Sequence, residues 1–97
     1  MMIKMAIASK RTEILVEANK CVCQDRNAQY GEPEDNFGII ARLWTEYLGR
    51  EITSHDVGMM MTLFKIGRIK SGGKKDDNYI DACGYLACAA EIASKGE

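Results

Sequence analysis

The sequence predicts an all-α protein, a four-helix bundle-like unit that is completed by homo-oligomerisation. Four segments carry apolar residues at three- and four-residue steps, and turns rich in glycine, proline or charge separate them. Strand-like alternation is confined to residues 1–7. A chain of 97 residues fits one small domain, which buries a modest share of its surface without a partner. Residues 1–97 are therefore expected to form a single helical domain, with residues 1–9 irregular or extended.

The first two helices are predicted on either side of the single proline. Helix 1 covers residues 11–29, and Gly31 ends it because glycine suits the C-terminus of a helix. Pro33 occupies a turn or the opening of the next helix. Helix 2 covers residues 35–48 and ends at Gly49. The apolar residues that define the two helices are Ile14, Leu15, Ala18, Cys21, Val22, Ala28, Phe37, Ile40, Ala41, Trp44, Tyr47 and Leu48.

Capping residues place the other two helices. Helix 3 begins near residue 54, because Thr53 is a good N-cap and Asp56, three positions later, completes a variant of the capping box. Residues 71–73 contain two glycines that break it. Helix 4 covers about residues 76–94, with carboxylates at the positive end of its dipole. Small side chains on nearly every face of helix 4 let neighbouring helices approach closely. This helix is therefore expected in the middle of the assembly.

Charge and hydropathy exclude a nucleic-acid polymer and a membrane as partners. The 13 basic and 14 acidic residues nearly cancel, so no net field attracts a polyanion or an anionic membrane. The apolar stretches 59–64 and 82–90 are far shorter than the roughly 20 residues of a spanning helix. The start of the chain lacks the apolar length and cleavage site of a secretory signal, so a cytoplasmic location is expected.

Other copies of the chain, in a dimer or a tetramer, are the expected protein partner. Helices 3 and 4 carry apolar residues on more than one face, so Met60, Met61 and Leu86 are expected to be partly buried by another copy. The run of three methionines from Met59 then serves as adaptable core or interface filler.

The four cysteines are predicted to be mostly buried small hydrophobes, outside any disulfide or zinc site. Cys21 and Cys23 point about 200° apart on a helix and cannot share one metal ion. Cys83 and Cys88 are five residues apart, which is a poor chelating separation. With one histidine, His55, and no CxxC pair, the spacing disfavours a structural zinc site.

Three carboxylates, those of Asp56, Asp77 and Asp81, are the candidate ligands of a magnesium ion. Asp77 and Asp81 share one helix face, where like charges repel unless a cation lies between them. Magnesium takes hard oxygen ligands and bridges carboxylates to substrate phosphates, and Asp56 could add a carboxylate from a facing helix. The alternative is that Asp77 is a helix N-terminal charge, Asp56 belongs to its capping box, and Asp81 pairs with a lysine.

Basic, phenolic and amide side chains form a second set, the candidates for binding a nucleotide. Lys65 and Arg68 are three residues apart and suit a phosphate or a carboxylate, although a solvated or ion-paired edge explains them equally well. Arg26 and Tyr30 are neighbours on helix 1. The candidate substrate-binding residues are Lys65, Arg68, Arg26, Tyr30, Asn36 and Asn78.

Short motifs stand out along most of the chain. They are Arg26-Asn27-Ala28-Gln29-Tyr30-Gly31, Asn36-Phe37, Asp56-Val57-Gly58-Met59-Met60, Lys65-Ile66-Gly67-Arg68 and Asp77-Asn78-Tyr79-Ile80-Asp81-Ala82-Cys83-Gly84-Tyr85. Over about residues 15–93 they resemble a small phage and prophage family of uncharacterised function. That family is in turn distantly similar to the MazG-type all-α nucleoside triphosphate pyrophosphatases. Those enzymes form dimers or tetramers around magnesium and hydrolyse the bond between the α and β phosphates.

The MazG resemblance implies an acidic site that is depleted in this chain. The enzymes carry an EExxE motif on one helix and an ExxD motif on the next. In residues 55–59 only Asp56 keeps an acidic position of the first motif. Asp81 keeps the second motif's aspartate, whereas Asn78 replaces its glutamate. Two carboxylates thus stand where the family uses four, with Asp77 as an extra candidate.

Two functions from different classes follow. One is a magnesium-dependent nucleoside triphosphate pyrophosphohydrolase, in which the three aspartates hold the metal and Lys65 and Arg68 neutralise phosphate charge. The other is a noncatalytic helical assembly or nucleotide-binding module of a phage. The low acidic count disfavours efficient catalysis.

Overall fold

Four α-helices form the architecture of residues 9–25, 28–29 and 31–96, the part of the chain that the computed structural model describes. This part contains no strand, which confirms the all-α prediction, and no helix long and apolar enough to cross a membrane. The segment 1–8, predicted to be irregular or extended, lies outside the described residues. The helices are α1 (Lys10–Lys20), α2 (Pro33–Leu48), α3 (Ser54–Lys70) and α4 (Asp76–Ser94).

Most helix ends lie where the sequence predicted them, because local capping decides them. Thr53 Oγ1 accepts a hydrogen bond from the backbone N–H of Asp56 at 3.1 Å, and Asp56 Oδ2 accepts one from the backbone N–H of Thr53 at 3.0 Å. The capping box is therefore confirmed. Gly49 ends α2 in the left-handed conformation, with φ 72°. α2 begins at Pro33, earlier than predicted, since proline has the φ of a first helical turn.

The first helix departs from its prediction after Lys20. α1 begins at Lys10, where Ser9 Oγ accepts a hydrogen bond from the backbone N–H of Thr12 at 3.0 Å. A π-helical segment, Cys21–Asp25, replaces the α-helix that was predicted to continue toward residue 29. Apolar spacing does not separate the two forms here, because a segment of five residues is too short to reveal the wider turn of a π-helix.

An antiparallel pair, α3 and α4, is the centre of the fold. α4 also contacts α1 and α2, which confirms that this small-sided helix lies in the middle. At the crossing of α3 and α4, a Cβ atom added to Gly58 would lie only 2.9 Å from Ala89 Cβ and 3.3 Å from the Tyr85 carbonyl oxygen. The two backbones approach this closely because position 58 has no side chain.

A small core lies among α2, α3 and α4. Phe37, Val57 and Ile92 are each at most 2% exposed, and burial of such a side chain contributes about 1.5–3 kcal/mol. Trp44 is half-buried against this core, whereas Tyr47, which shares its helix and its apolar pattern, is exposed. The buried residues of the core are Phe37, Ala41, Val57, Cys88 and Ile92.

The cysteines correct one prediction, that the thiols are mostly buried. Cys88 is buried and Cys83 is half-buried, but Cys21 and Cys23 are exposed. The sequence placed Cys21 on the apolar face of an uninterrupted α-helix. The π-helical segment begins at this residue, so the residues after it do not continue the α-helical face on which Cys21 was counted.

Gly58→Ala is expected to lower the free energy of unfolding by about 1–3 kcal/mol, because the added methyl group overpacks the contact with Ala89. Chemical denaturation followed by circular dichroism measures this change. Gly38→Ala on α2 is the matched control, since its Cβ would lie 3.6 Å from Ser54 Oγ, an ordinary contact. The control is expected to keep the stability or raise it by up to about 1 kcal/mol. Equal losses for both variants would contradict the close crossing.

Candidate functional site

The centre of the candidate site is an ion pair between α3 and α4. Lys65 Nζ lies 3.0 Å from Asp81 Oδ2, and the two side chains are 17% and 41% exposed. The pairing follows from the register of the helices: from the crossing of Gly58 with Ala89, seven residues forward on α3 and eight back on α4 lead to this pair. The contact agrees with the alternative in which Asp81 pairs with a lysine.

Three more of the predicted residues lie at the same end of the α3–α4 pair. Asn78 is buried, and its side-chain amide donates a hydrogen bond to the carbonyl oxygen of Gly73 in the turn between the helices. The guanidinium carbon of Arg68 lies 5.7 Å from the centre of the Phe64 ring. Asp77 is exposed in the first turn of α4, where the helix dipole favours a carboxylate. This end of the pair therefore combines two cations, two carboxylates and an amide.

Asp56 lies at the opposite end of α3. It precedes Lys65 by nine residues, a rise of about 13 Å along the helix, and its carboxylate is engaged in the capping box. Among the described residues, the group of three potential ligand side chains with atoms within 4.8 Å of one another consists of glutamates and not of the predicted aspartates. One chain does not gather Asp56 with Asp77 and Asp81, so their role as magnesium ligands stays a prediction.

The remaining predicted substrate-binding residues lie away from this ion pair or outside the described part of the chain. Asn36 is half-buried in the first turns of α2, two residues from Glu34, which contacts Lys95 just beyond the end of α4. Arg26 and Tyr30 lie outside the described residues. Binding of a substrate by these three side chains stays a prediction.

A group of glutamates that the sequence did not predict joins the start of α2 to the end of α4. Carboxylate oxygens of Glu32, Glu34 and Glu91 lie within 4.8 Å of one another. Lys95 Nζ lies 2.8 Å from Glu34 Oε2 and 3.4 Å from Glu91 Oε2, so the chain itself supplies a cation there. Local spacing could not reveal this group, because Glu34 and Glu91 are 57 residues apart in the sequence.

The pKa shifts show when the glutamate group stabilises the fold. The hydrogen bond from Lys95 holds the pKa of Glu34 below its ordinary value. Hydrogen bonds to Glu34 and Glu91 raise the pKa of Lys95. A carboxyl group whose pKa is lowered by folding stabilises the fold fully when the pH is above its ordinary pKa. This stabilisation is lost as the pH falls through the lowered pKa. An amine whose pKa is raised by folding stabilises the fold fully when the pH is below its ordinary pKa, and this stabilisation is lost as the pH rises through the raised pKa. The ion pairs of Lys95 with Glu34 and Glu91 therefore contribute fully at neutral pH.

Two concave regions border α4. The smaller encloses about 190 Å³ between α4 and the π-helical segment and includes Asp81, Tyr85 and Cys88 in its wall. The larger is a groove of about 770 Å³ among α1, α3 and α4, and an ion pair of 2.9 Å between Lys10 and Asp76 lies at its edge. Of these two regions, the smaller borders a predicted site residue. The apolar side chains of the groove are Ile14, Leu15, Ile66, Ile69, Tyr79, Ala82 and Cys83.

Comparison with known proteins identifies the family. Residues 13–93 match a family described as a domain of unknown function (DUF6378). This chain belongs to that family. The match covers all of the region, about residues 15–93, whose motifs resembled a small phage family. The further similarity of this DUF6378 domain to MazG-type enzymes stays a prediction.

Two phage proteins are relatives of this DUF6378 domain. The Gene 55 protein of Mycobacterium phage D29 is 42% identical over 79 residues, which are 81% of this chain and 52% of that protein. The Gene 55 protein of Mycobacterium phage L5 is 38% identical over 73 residues, which are 74% of this chain and 47% of that protein. The chain thus spans about half the length of the curated relatives it matches. No solved structure matches the chain.

Asp81→Asn is expected to lower the free energy of unfolding by about 0.5–1 kcal/mol, because it removes the ion-pair partner of a largely covered lysine. Thermal unfolding without added metal measures the loss, which should shrink in high salt. Asp77→Asn on the same helix face is the control, with an expected change within about 0.5 kcal/mol. A variant at position 81 that is more stable than the parent would show that carboxylate repulsion outweighs the ion pair.

Proposed function

We propose that this DUF6378 domain is a noncatalytic helical module of a phage, which assembles with another protein subunit through one side of α3. The observation that carries the proposal is the outer face of α3, which is formed by Met59, Met60, Leu63 and Phe64, with Ile66 at its border with the groove among α1, α3 and α4. All five side chains are exposed. A contiguous apolar surface of this kind marks a protein interaction site.

The polar pattern of α3 supports the same function. The eight residues from Val57 to Phe64 contain no charged side chain. Their single hydroxyl, that of Thr62, is buried and donates a 2.8 Å hydrogen bond to the carbonyl oxygen of Gly58. A solvent-facing helix ordinarily carries polar side chains on its exposed stripe, so this stripe is suited to contact with protein.

The state of the predicted acidic residues also supports a module without turnover. Asp56 accepts a capping hydrogen bond, and Asp81 is neutralised by Lys65. Within one chain a magnesium ion would find Asp77 and an ion-paired Asp81 at one end of α3, and Asp56 at the other. Two carboxylates with an adjacent ammonium group do not fit the four-carboxylate site of the MazG-type enzymes, and we derive no catalytic step through the metal.

Site-specific cross-linking tests assembly without assuming the partner. A photoreactive amino acid replacing Leu63 is expected to yield cross-linked protein when cells making the chain are irradiated, because this side chain lies at the centre of the outer face. The control places the same amino acid at Arg42, an exposed position on α2. Cross-links of equal yield at both positions, or none at Leu63, would overturn the assembly proposal.

A second candidate function is the magnesium-dependent pyrophosphohydrolase of nucleoside triphosphates. The observation that favours it is the presence of Lys65 and Arg68 beside Asp77, Asp81 and Asn78 at one end of the α3–α4 pair. Cations at that position suit triphosphate oxygens, and the two aspartates offer hard ligands to a metal that accompanies them.

Metal binding and turnover separate the two candidates. If the enzyme candidate is right, magnesium or manganese raises the melting temperature, and Asp81→Asn weakens that rise. A panel of nucleoside triphosphates, assayed with metal for released pyrophosphate, then shows a product. If the noncatalytic proposal is right, no pyrophosphate is released. Added metal then raises the melting temperature of the parent chain no more than it raises that of the Asp81→Asn variant. Pyrophosphate release by the parent chain, together with no release by the Asp81→Asn variant, would overturn the noncatalytic proposal.

A further inference from the structure

We infer that the outer face of α3 binds the same face of a second copy of this chain, with the two α3 helices antiparallel about a two-fold axis beside Leu63. The inference rests on the proposed assembly function and names its partner. A two-fold pair needs a surface that is complementary to itself. The charge, shape and area of α3 meet this requirement.

The charges along α3 define the orientation of the pair. Asp56, Leu63 and Lys70 are seven residues apart, so they lie in a row along the outer side of the helix. The row is acidic at its start, apolar in the middle and basic at its end, where Arg68 also lies. Rotation about an axis at Leu63 brings each Asp56 opposite the partner's Lys70. A parallel pair would place like charges together, and parallel helix dipoles would add to the repulsion.

The shape of the face suits the same rotation. Gly67 faces open space: apart from the residue itself, its chain neighbours and the nearby backbone of α3, no atom of the described residues lies within 4 Å of the position that its Cβ would occupy. Met59 and Gly67 are equally far from Leu63 along the helix, so the partner's Met59 is placed over Gly67. A flexible thioether side chain adapts to the gap above a glycine and lets the helices approach closely.

The face supplies most of the apolar area that half of a stable dimer interface needs. The exposed fractions are 37% for Met59, 39% for Met60, 63% for Leu63, 53% for Phe64 and 48% for Ile66. With about 150 Å² for each fully exposed large side chain, the low end of the range for aromatic residues, the face offers about 360 Å² of apolar surface. A standard interface buries about 800 Å² per partner, of which about 57% is non-polar, or about 450 Å².

A charged substitution at the axis tests the dimer. The purified chain, kept reduced, is expected to have twice its 10.8 kDa mass in light scattering at micromolar concentration. Leu63→Asp is expected to raise the dissociation constant at least about 100-fold, because the axis brings two aspartates together in an apolar contact. Leu43→Asp on α2 is the matched control, since Leu43 is 66% exposed and Leu63 is 63% exposed. Circular dichroism checks that both variants keep their helix content.

Disulfide trapping tests the antiparallel orientation with variants that keep the apolar axis. Met59→Cys and Gly67→Cys chains are mixed, equilibrated and oxidised, and the linked peptides are identified by mass spectrometry. The antiparallel pair is expected to give a disulfide between position 59 of one chain and position 67 of the other. The unsubstituted chain under the same oxidation shows which links come from its own exposed cysteines, Cys21 and Cys23.

The outcomes separate this inference from the proposed function. A monomeric parent chain, equal dissociation of the Leu63→Asp and Leu43→Asp variants, or a 59–59 link in place of the 59–67 link would each overturn the pairing. If the chain is monomeric but cross-links form at Leu63 in cells, the assembly function stands and its partner is a different protein. A monomeric chain without cellular cross-links would overturn both.

Discussion

The close contact between α3 and α4 is the constraint on which the rest of the structure depends. Gly58 lets the two backbones meet at Ala89, and the register set there carries along both helices. It places Val57 in the core beside Cys88 and Ile92 at one end, and it aligns the ion-paired side chains of the candidate site at the other. A glycine without a Cβ atom is thus the local cause of contacts that extend over several helical turns.

Among residues 9–25, 28–29 and 31–96, the same contact leaves α3 covered on one side only. Small residues bring α4 close to its neighbours, but α2 and α4 reach only the inner positions of α3. The opposite positions carry methionine, leucine, isoleucine and phenylalanine, which are more costly to leave in water than the polar residues usual on an exposed helix. The fold of the single chain therefore explains why this DUF6378 domain has an apolar surface available for a partner.

The carboxylates of this domain take part in separate electrostatic contacts within and between helices. They do not converge on one acidic site among the described residues. The capping box is local to α3, the lysine–aspartate pair joins α3 to α4, and Glu34 at the start of α2 shares Lys95 with Glu91 near the end of α4. In each case a nearby donor or ammonium group stabilises the carboxylate. A carboxylate that already has such a partner gains less from binding a metal ion than an unpaired one.

The sequence by itself determined the helical class and most helix ends, because caps, glycines and apolar spacing act over a few residues. Thr53 with Asp56 and the glycine at position 49 are examples. Spacing could not show the π-helical segment after α1, which preserves the coiling of the chain. Only the tertiary structure decided that Asp81 meets Lys65 and lies far from Asp56, since that depends on the register of α3 against α4. Sequence motifs place residues along a helix, whereas packing of side chains between helices places them near one another.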